Sequence, residues 1–513
     1  MKTTNLVYIL LTLFWSCLQL HAQDYYIKTI SITGTSSDNG LDILADETGY
    51  VVMTGSMAFS AIGGIGIFKT NLWGEEIWGN AVNYYPYDSG PKNLIRLPSS
   101  SYLISGGKVE EVLGFQDLFL FVTQTGLIYR TVIHGDSVNN RSPSSVIFGN
   151  NIVAFTSVGK TEPYQNQPLL IKLDSMGAIL KKDTLLNAGG YVNNGSESIL
   201  LLPTQEYILG IGAQNEPNKI YGYLRKTDTI GNTIWEQAIN NVYMGVANMH
   251  LATLKNGNFV VSWGVKLGGA TQDRGSFFVR CYNAEGDSLW QYTFASVDYI
   301  RNIQDLYVCA NGDIIGCGYT LEAYPEYLTG WIFRLSPQGE LFWSREFVYW
   351  EALGHYMPLY AVTEDPYGDI VATGYANRPD PETGFWKGQA VLLKVNAMGC
   401  FGEGGCTDTA IVHSVVTGMD TPPPQAGSSV AVSPVKVTWL GYGELAVFYN
   451  LPATPAATLH LYDIQGRPIT NQPLPPYDIF TPLQTPPLPP GVYLYAAEQG
   501  GMIVARGKVA VMR

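Results

Sequence analysis

The sequence predicts an all-β protein built from repeated four-stranded units, and three observations carry the prediction. A turn glycine recurs at Gly74, Gly126, Gly177, Gly231, Gly286, Gly339 and Gly399, at intervals of 52, 51, 54, 55, 53 and 60 residues. Trp78, Trp235, Trp290 and Trp343 each follow their glycine by four positions, with Arg130 and Lys181 in that place in two copies. Composition agrees. The 513 residues include 55 Gly and 33 Tyr and are only 14% charged, against about 25% in ordinary soluble domains, a balance that favours strands and tight turns over helices.

Each unit resolves into four strands. A turn followed by an apolar strand ending in glycine precedes each landmark: "TGYVVMTG" to Gly55, "SSYLISG" to Gly106, "NGNFVVSWG" to Gly264, "NGDIIGCG" to Gly318 and "YGDIVATG" to Gly374. The third copy, "GNNIVAFT", lacks the closing glycine. Asn-Gly and Gly-Asp between apolar runs are hairpin signals. A basic residue (Lys69, Lys172, Lys226, Arg280, Arg334, Lys394) stands five or six positions before the turn glycine and marks the third strand; the tryptophan starts the fourth. One such sheet cannot bury both its faces, but radial stacking of seven can. A period of about 50 residues with four antiparallel strands is a propeller blade. The fold class predicted is therefore all-β: a seven-bladed β-propeller over residues 23–409. The seventh unit runs from Gly399 into "CFGEGGCTDT" with no fourth strand, while "YYIKTISIT", Tyr25 to Thr33, precedes the first unit without a sheet of its own. An open edge invites aggregation, so the N-terminal strand is expected to close the last blade. The tryptophans repeat because blades repeat, and packing is their expected role.

The ends of the chain have other jobs. Lys2, the apolar run Leu6 to Leu20 and the small residue Ala22 form a secretory signal peptide, residues 1–22. The run is short for a membrane span, and a lipid anchor on Cys17 is disfavoured by the preceding Phe14-Trp15-Ser16. No other segment is apolar enough to cross a bilayer, so the mature chain is expected to have no membrane span. A Pro/Ser/Gly linker, residues 410–435, contains "MDTPPPQAGSSVAVSP". Strand-like runs resume beyond it. Leu459, Leu461, Val492 and Leu494 alternate with His460, Tyr462, Tyr493 and Tyr495, which predicts a small C-terminal β-sandwich over residues 436–513.

Net charge of −13 points away from nucleic acid as a partner. Cys400 and Cys406 bracket the tight loop "CFGEGGC", where a small disulfide ring suits an exported protein. Cys309 and Cys317 flank "ANGD"; with Asn311-Gly312 centring that hairpin, Cys309 faces Ile314, so both are expected to be buried thiols. Cys281 has no evident partner. No metal-spaced histidine pair, Cys-x-x-Cys, G-x-S-x-G or phosphate-binding glycine loop occurs, so no catalytic, cofactor or metal residue is assigned and no cofactor is implied. His250 and His355 stand near the first strands of their blades, where they face the central channel or serve as satisfied polar groups. The loops "VKLGGATQDRGS", "YTLEAYPEYLTGW" and "YANRPDPETGFWKG" join second to third strands and carry Tyr, Trp and acids on one side of the ring. They are a binding surface for glycan or protein, or simply solvated loops. Asp followed by Ser or Thr at Asp136, Asp174, Asp183, Asp228, Asp287 and Asp408 is either turn chemistry or an O-glycosylation triplet.

Two resemblances add to this reading. The third and fourth strands of each unit resemble the tryptophan-docking repeats of pyrroloquinoline-quinone-type propellers, and the whole unit resembles the long propeller repeats of exported bacterial proteins. The adjacent Cys-Cys pair and the calcium-binding set of quinoprotein chemistry are missing, as is the sialidase Asp box. In the tail, "TLHLYDIQGRPI", "PPLPPGVYLYAAE" and the terminal "GKVAVMR" resemble the C-terminal (Por) sorting domain of type IX secretion cargo. The matching positions are Leu461, Tyr462, Asp463, Gly466 and Arg467, then Leu488, Pro489, Gly491, Tyr493, Leu494 and Tyr495, then Gly507 and Lys508. An ordinary accessory sandwich is the plainer alternative. The resemblance implies recognition of the tail by the outer-membrane translocon and a final location outside the cell, or on the outer-membrane surface, of a gram-negative bacterium. The expected function is a non-catalytic binding or scaffolding module. A carbohydrate-active enzyme, glycosidase or lyase, is the alternative.

Overall fold

The computed structural model describes residues 25–30, 39–55, 64–83, 89–110, 114–135, 140–159, 166–190, 193–216, 219–239, 245–267, 274–295, 299–322, 328–349, 356–379, 386–401, 409–412, 435–441, 444–449, 457–474 and 480–511. Residues 1–22, expected to be a signal peptide, His355, Cys406, Asp136, Asp408 and most of the expected linker lie outside them. The chain divides into two compact units, Met1–Thr417 and Gly418–Arg513. Described residues of both are almost wholly strand, with one 3-10 turn at Ala188–Gly190 and no α-helix.

The first unit is a succession of four-stranded antiparallel sheets, an architecture consistent with a propeller. In chain order they run over residues 39–83, 89–134, 140–184, 193–238, 245–295, 299–349 and 359–395; we number them sheets I to VII. Their first strands are Asn39–Asp46, Ser89–Arg96, Asn140–Phe148, Asn193–Leu201, Gly245–Thr253, Tyr299–Val308 and Leu359–Glu364. Each first strand touches the first strand of the next sheet, and that of sheet VII returns to that of sheet I. Apolar clusters lie between neighbouring sheets. Val51, Met53, Ile65 and Ile67 of sheet I pack with Leu94, Ile104, Leu118 and Leu120 of sheet II, and Tyr26 and Ile30 pack with Tyr50, Val52 and Phe68. The period-2 strands thus bury both faces, as the repeat requires.

The expected closure is present. Tyr26–Ile30 pairs antiparallel with Trp386–Val395, in the register Tyr26↔Lys394 to Ile30↔Ala390. Tyr26 therefore faces the basic residue of its sheet just as Trp343 faces Arg334. In the seventh sheet it takes the place that Trp78, Trp235, Trp290 and Trp343 hold in theirs.

The turn glycines are fixed twice over. All seven have φ between +72° and +96°, a region that penalises any Cβ. Six of them also press on the sheet before: a Cβ on Gly339 would stand 2.5 Å from the Trp290 ring, one on Gly399 2.8 Å from Trp343, and one on Gly286 3.2 Å from Trp235. Gly126 meets Trp78 in the same way, Gly177 meets Phe121 and Val132, and Gly231 meets Leu185, apolar stand-ins where Arg130 and Lys181 replace the tryptophan. Gly74 meets Tyr26 and so completes the cycle. Indole N–H groups donate to the carbonyl two residues before the glycine: Trp235 to Ala284 (3.2 Å), Trp290 to Pro337 (3.0 Å) and Trp343 to Ala397 (3.2 Å). The Tyr26 hydroxyl does the same to Leu72 (3.3 Å). The third-strand cations reach back to acids of the first hairpin turn, Lys69 to Asp46 (3.2 Å), Arg334 to Asp313 (2.8 Å) and Lys394 to Asp369 (3.2 Å).

Three local expectations need correction. Residues 409–412 were assigned to the end of the first domain and the start of the linker, but Thr409–Val412 is a strand, lying parallel on Leu341–Tyr349 as a fifth strand of sheet VI. Val308, not Cys309, faces Ile314, because the turn runs from Cys309 to Asp313 with Cys309 N donating to Asp313 O (2.8 Å). The second unit's first strand begins at Val435, one residue inside the expected linker.

In the second unit a three-stranded sheet (Val435–Gly441, Glu444–Tyr449, Phe480–Leu483) and a four-stranded sheet (Pro468–Leu474, Ala457–Tyr462, Gly491–Gln499, Met502–Val511) share one apolar core. Val437 and Val447 come from the first; Leu459, Leu461, Tyr495 and Ala497 from the second.

Candidate functional site

The first strands carry an irregularity at the same place. Each antiparallel pair of first and second strands slips register near its start, between Gly40 and Asp42, Pro91 and Asn93, Arg141 and Ser144, Ser196 and Ser198, Val246 and His250, Ile303 and Asp305, and Leu359 and Ala361. A bulge leaves ladder groups unpaired and re-aims side chains. At three of these bulges a backbone N–H is taken by a side chain of the preceding sheet. Leu94 N donates to Asp42 Oδ2 (2.6 Å), Ser145 N to Asn93 Oδ1 (3.0 Å) and Val362 N to Asp305 Oδ2 (3.0 Å).

The choice of Asp or Asn follows from the acceptors needed. Asn93 serves one N–H, because Leu94 N is already held by Asp42. Asp42 serves two: its other oxygen accepts from its own neighbour Ile43 N (2.8 Å), since Ala361 in the preceding sheet has no acceptor to offer. Asp305 likewise accepts from Leu306 N (2.8 Å). Burial pushes the Asp42 carboxyl up to about 7 despite these bonds. Burial, and then the charge of Asp42, pushes Asp305 up to about 8. Burial, and then Lys92, drives His250 down to about 3, so the imidazole is neutral at any ordinary pH. Lys92 belongs to sheet II and His250 to sheet V. Side chains of sheets that are not neighbours thus come within electrostatic reach of one another at these bulges, the region here termed the mouth.

At the sheet VI and VII side of this mouth, tyrosines converge. Asn302, Tyr319 and Gly330 are in register across sheet VI, and a Cβ on Gly330 would meet Met357 and Leu359, so this row faces sheet VII. Asn302 Nδ2 donates to the Tyr319 hydroxyl (2.8 Å). Asn302 is only 5% exposed, and its Oδ1 has no hydrogen-bond partner. From sheet VII come Tyr360, on the bulge, and Tyr356 and Tyr375, whose rings meet edge-on with centroids 5.7 Å apart. All four tyrosines are half-buried. Burial, then Tyr356, Tyr319 and Tyr375, holds the Tyr360 hydroxyl far above its ordinary value. The group is therefore uncharged, with rigid ring faces and hydroxyls that both donate and accept.

The motif residues of the second unit gather on its four-stranded sheet. Leu461 is fully buried. Asp463 Oδ1 accepts from Gln465 N and Arg467 N (both 2.9 Å), its Oδ2 accepts from Arg467 Nε (2.5 Å), and Gly466 has φ +80°. Tyr462 pairs with Leu494, Leu494 with Lys508 and Tyr495 with Gly507. The Tyr493 hydroxyl donates to Pro489 O (2.7 Å), the Tyr495 hydroxyl to Val435 O (3.3 Å), Leu488 packs on the core and Gly491 opens its strand. Cys400 is disulfide-bonded, while Cys281, Cys309 and Cys317 are buried free thiols. Burial raises the Cys281 thiol to about 11 and Cys309 to about 12, which makes them unreactive. Asp174 and Asp228 accept the N–H groups of their own turns, Met176 and Ala178, Ile230 and Asn232, which is turn chemistry. Among the described residues no group of three or more His, Cys, Asp or Glu is placed to hold a metal, and no helix is long and apolar enough to cross a membrane.

Sequence reasoning points to the second-to-third-strand loops; Tyr319 and Tyr375, the first residues of two of those segments, lie instead in strands that run on to Glu322 and Pro379. It did not find Asn302, Tyr356, Tyr360 or the acceptor series. Asp42 and Asn93 are 51 residues apart, each followed by two apolar residues, so aligning the units on their first strands would have exposed that series.

No protein-family model matches the sequence, and no curated protein matches it. Among solved structures, the chain is similar to a polysaccharide lyase, Uly1 (10% identity, 74% of this chain and 93% of that one, TM-score 0.44). It is similar to an α-L-arabinofuranosidase of Fusarium graminearum, solved in complex with an iminosugar inhibitor (11% identity, 72% and 97%, TM-score 0.42). A protein of unknown function from Bacteroides caccae also aligns with it (12% identity, 61% and 94%, TM-score 0.36). The repeated sheets and their mouth, not these likenesses, carry the functional reading.

Proposed function

We propose that residues 23–409 form a seven-bladed β-propeller, closed by Tyr26–Ile30, that binds a glycan or protein ligand at its mouth without transforming it. The cyclic contacts of the first strands and of the turn glycines support the count of seven. The observation that carries the binding reading is the convergence of Tyr319, Tyr356, Tyr360 and Tyr375 beside Asn302. Tyrosine offers large contact area at small entropic cost, which suits recognition. The test is a glycan and protein-fragment binding screen on the mature chain and on a Tyr360→Ala/Tyr375→Ala variant of unchanged melting temperature. Equal binding by both forms across the whole panel would sink the reading.

A second reading, a carbohydrate-active enzyme, is favoured by Asp42 and Asp305, carboxyls that hold protons near neutrality as a general acid must. Against it, Asn93 occupies the same place and makes the same bond, so the position serves the backbone. Turnover in a glycosidase and lyase panel that vanished in Asp305→Asn, with binding retained, would establish the enzyme.

We also infer that the chain is exported: the leader is removed, and the second unit is a β-sandwich read by a type IX outer-membrane translocon, leaving the product outside the cell or on its surface. The clustering of the motif residues on one sheet supports this. Deleting residues 436–513 and fractionating cells tests it; continued appearance of the protein in the medium rules it out.

A further inference from the structure

We infer that the ligand at the tyrosine cluster is an uncharged saccharide whose hydroxyl donates to Asn302. The inference rests on the binding reading and names the ligand class. Three features carry it. The first is the stranded acceptor: Asn302 spends its amide N–H on Tyr319, and its Oδ1, buried to 95%, has no donor. Turning the amide round only moves the deficit to the nitrogen, so one polar atom needs a partner in either orientation. Leaving it unmet costs stability, which marks the site as built for something that arrives.

The second feature is charge. The row Asn302–Tyr319–Gly330 faces sheet VII, whereas Arg301 lies over the Trp331 ring and pairs with Glu346 (3.2 Å). Trp331 packs with residues of sheet V, so that ion pair belongs to the other face of sheet VI. On the sheet VII side the converging groups are an amide and four phenols, and Tyr360 keeps its proton. An ionic ligand would meet no countercharge from them. The third is shape. Tyr356 and Tyr375 meet edge to face beside Asn302 and Tyr360, and the hydroxyls of Tyr319 and Tyr360 are at hand for the O–H groups of a sugar.

The mature full chain should be titrated calorimetrically with neutral xylo-, cello-, malto- and arabino-pentaose, with oligogalacturonate as acidic counterpart and with a panel of unstructured peptides. Asn302→Ala, Tyr360→Phe and Tyr375→Phe serve as variants and Tyr129→Phe, exposed on the outer strand of sheet II, as control. We expect at least one neutral pentasaccharide to bind, oligogalacturonate to bind it at least ten-fold more weakly, Asn302→Ala to lose about ten-fold and the two Phe variants about three- to ten-fold. Asn302→Ala should melt no lower than the parent, since it removes an unsatisfied group. Peptide binding that responds to the Phe variants, with no saccharide bound, would overturn the ligand class and leave the binding site standing. Saccharide binding that ignores all three variants, or no binding by any probe, would overturn the site itself.

Discussion

Replacing Asp42 by Asn should change the stability of the first unit in a direction that reverses with pH. Asp42 ionises near 4 in an unfolded chain and at about 7 in the folded one. Below pH 4 the carboxyl is protonated in both states and costs nothing. Between pH 4 and 7 the unfolded chain releases its proton while the folded one holds it, so stability falls by about 1.4 kcal/mol per pH unit. Three pH units give a penalty of about 4 kcal/mol that is complete above pH 7. Asn carries no such penalty, but its single oxygen cannot accept from both Ile43 N and Leu94 N, which costs about 1–3 kcal/mol. Asp42→Asn should therefore be more stable than the parent by about 1–3 kcal/mol at pH 8, and equal or less stable at pH 4. Urea titrations followed by tryptophan fluorescence at half-unit intervals from pH 4 to 8 measure this. A difference between variant and parent that stays constant across the range would refute the assignment of a buried, proton-holding carboxyl.

Gly339→Ala should destabilise the first unit well beyond Gly257→Ala: both glycines have φ near +85°, but only Gly339 has a tryptophan against it, so the difference in urea midpoint isolates the docking. The open site should cost about 1–2 kcal/mol and the docked one about 3 or more. Gly507→Ala should loosen the second unit, seen as faster proteolysis of residues 436–513, because a Cβ there would run into the Tyr495 hydroxyl and stand 2.5 Å from its Cζ. The His250 imidazole, held down to about 3, should show no NMR titration between pH 5 and 8.

Repetition made the fold legible. One misread copy costs little when six others fix the register, and the spare strand at Tyr26 was recognisable because sheet VII lacked one. The glycine and tryptophan are legible together, but their relation is not: Gly126, Gly286, Gly339 and Gly399 each meet the tryptophan of the sheet before, a contact about 50 residues away that period counting cannot see. The site was harder still. Asn302, Tyr319, Tyr360 and Tyr375 come from four strands of two sheets, and Tyr356 from the approach to one of them, with no fixed spacing. A bulge that re-aims Tyr360 leaves no trace in an alternating pattern. The strand Thr409–Val412 escaped notice because its partner edge belongs to the sheet before the last.

The pairing of Ile30 with Ala390 has a kinetic consequence. The earliest-made strand must wait for the latest-made sheet, roughly 360 residues downstream. Bringing those ends together costs about 3 kcal/mol more entropy than closing a ten-residue hairpin, by the logarithmic law for flexible loops. The earlier sheets have to zip up in sequence and shorten that gap before the clasp can snap. Any chain truncated short of residue 390 is left with an idle first strand and an unguarded edge, a natural handle for quality-control proteases.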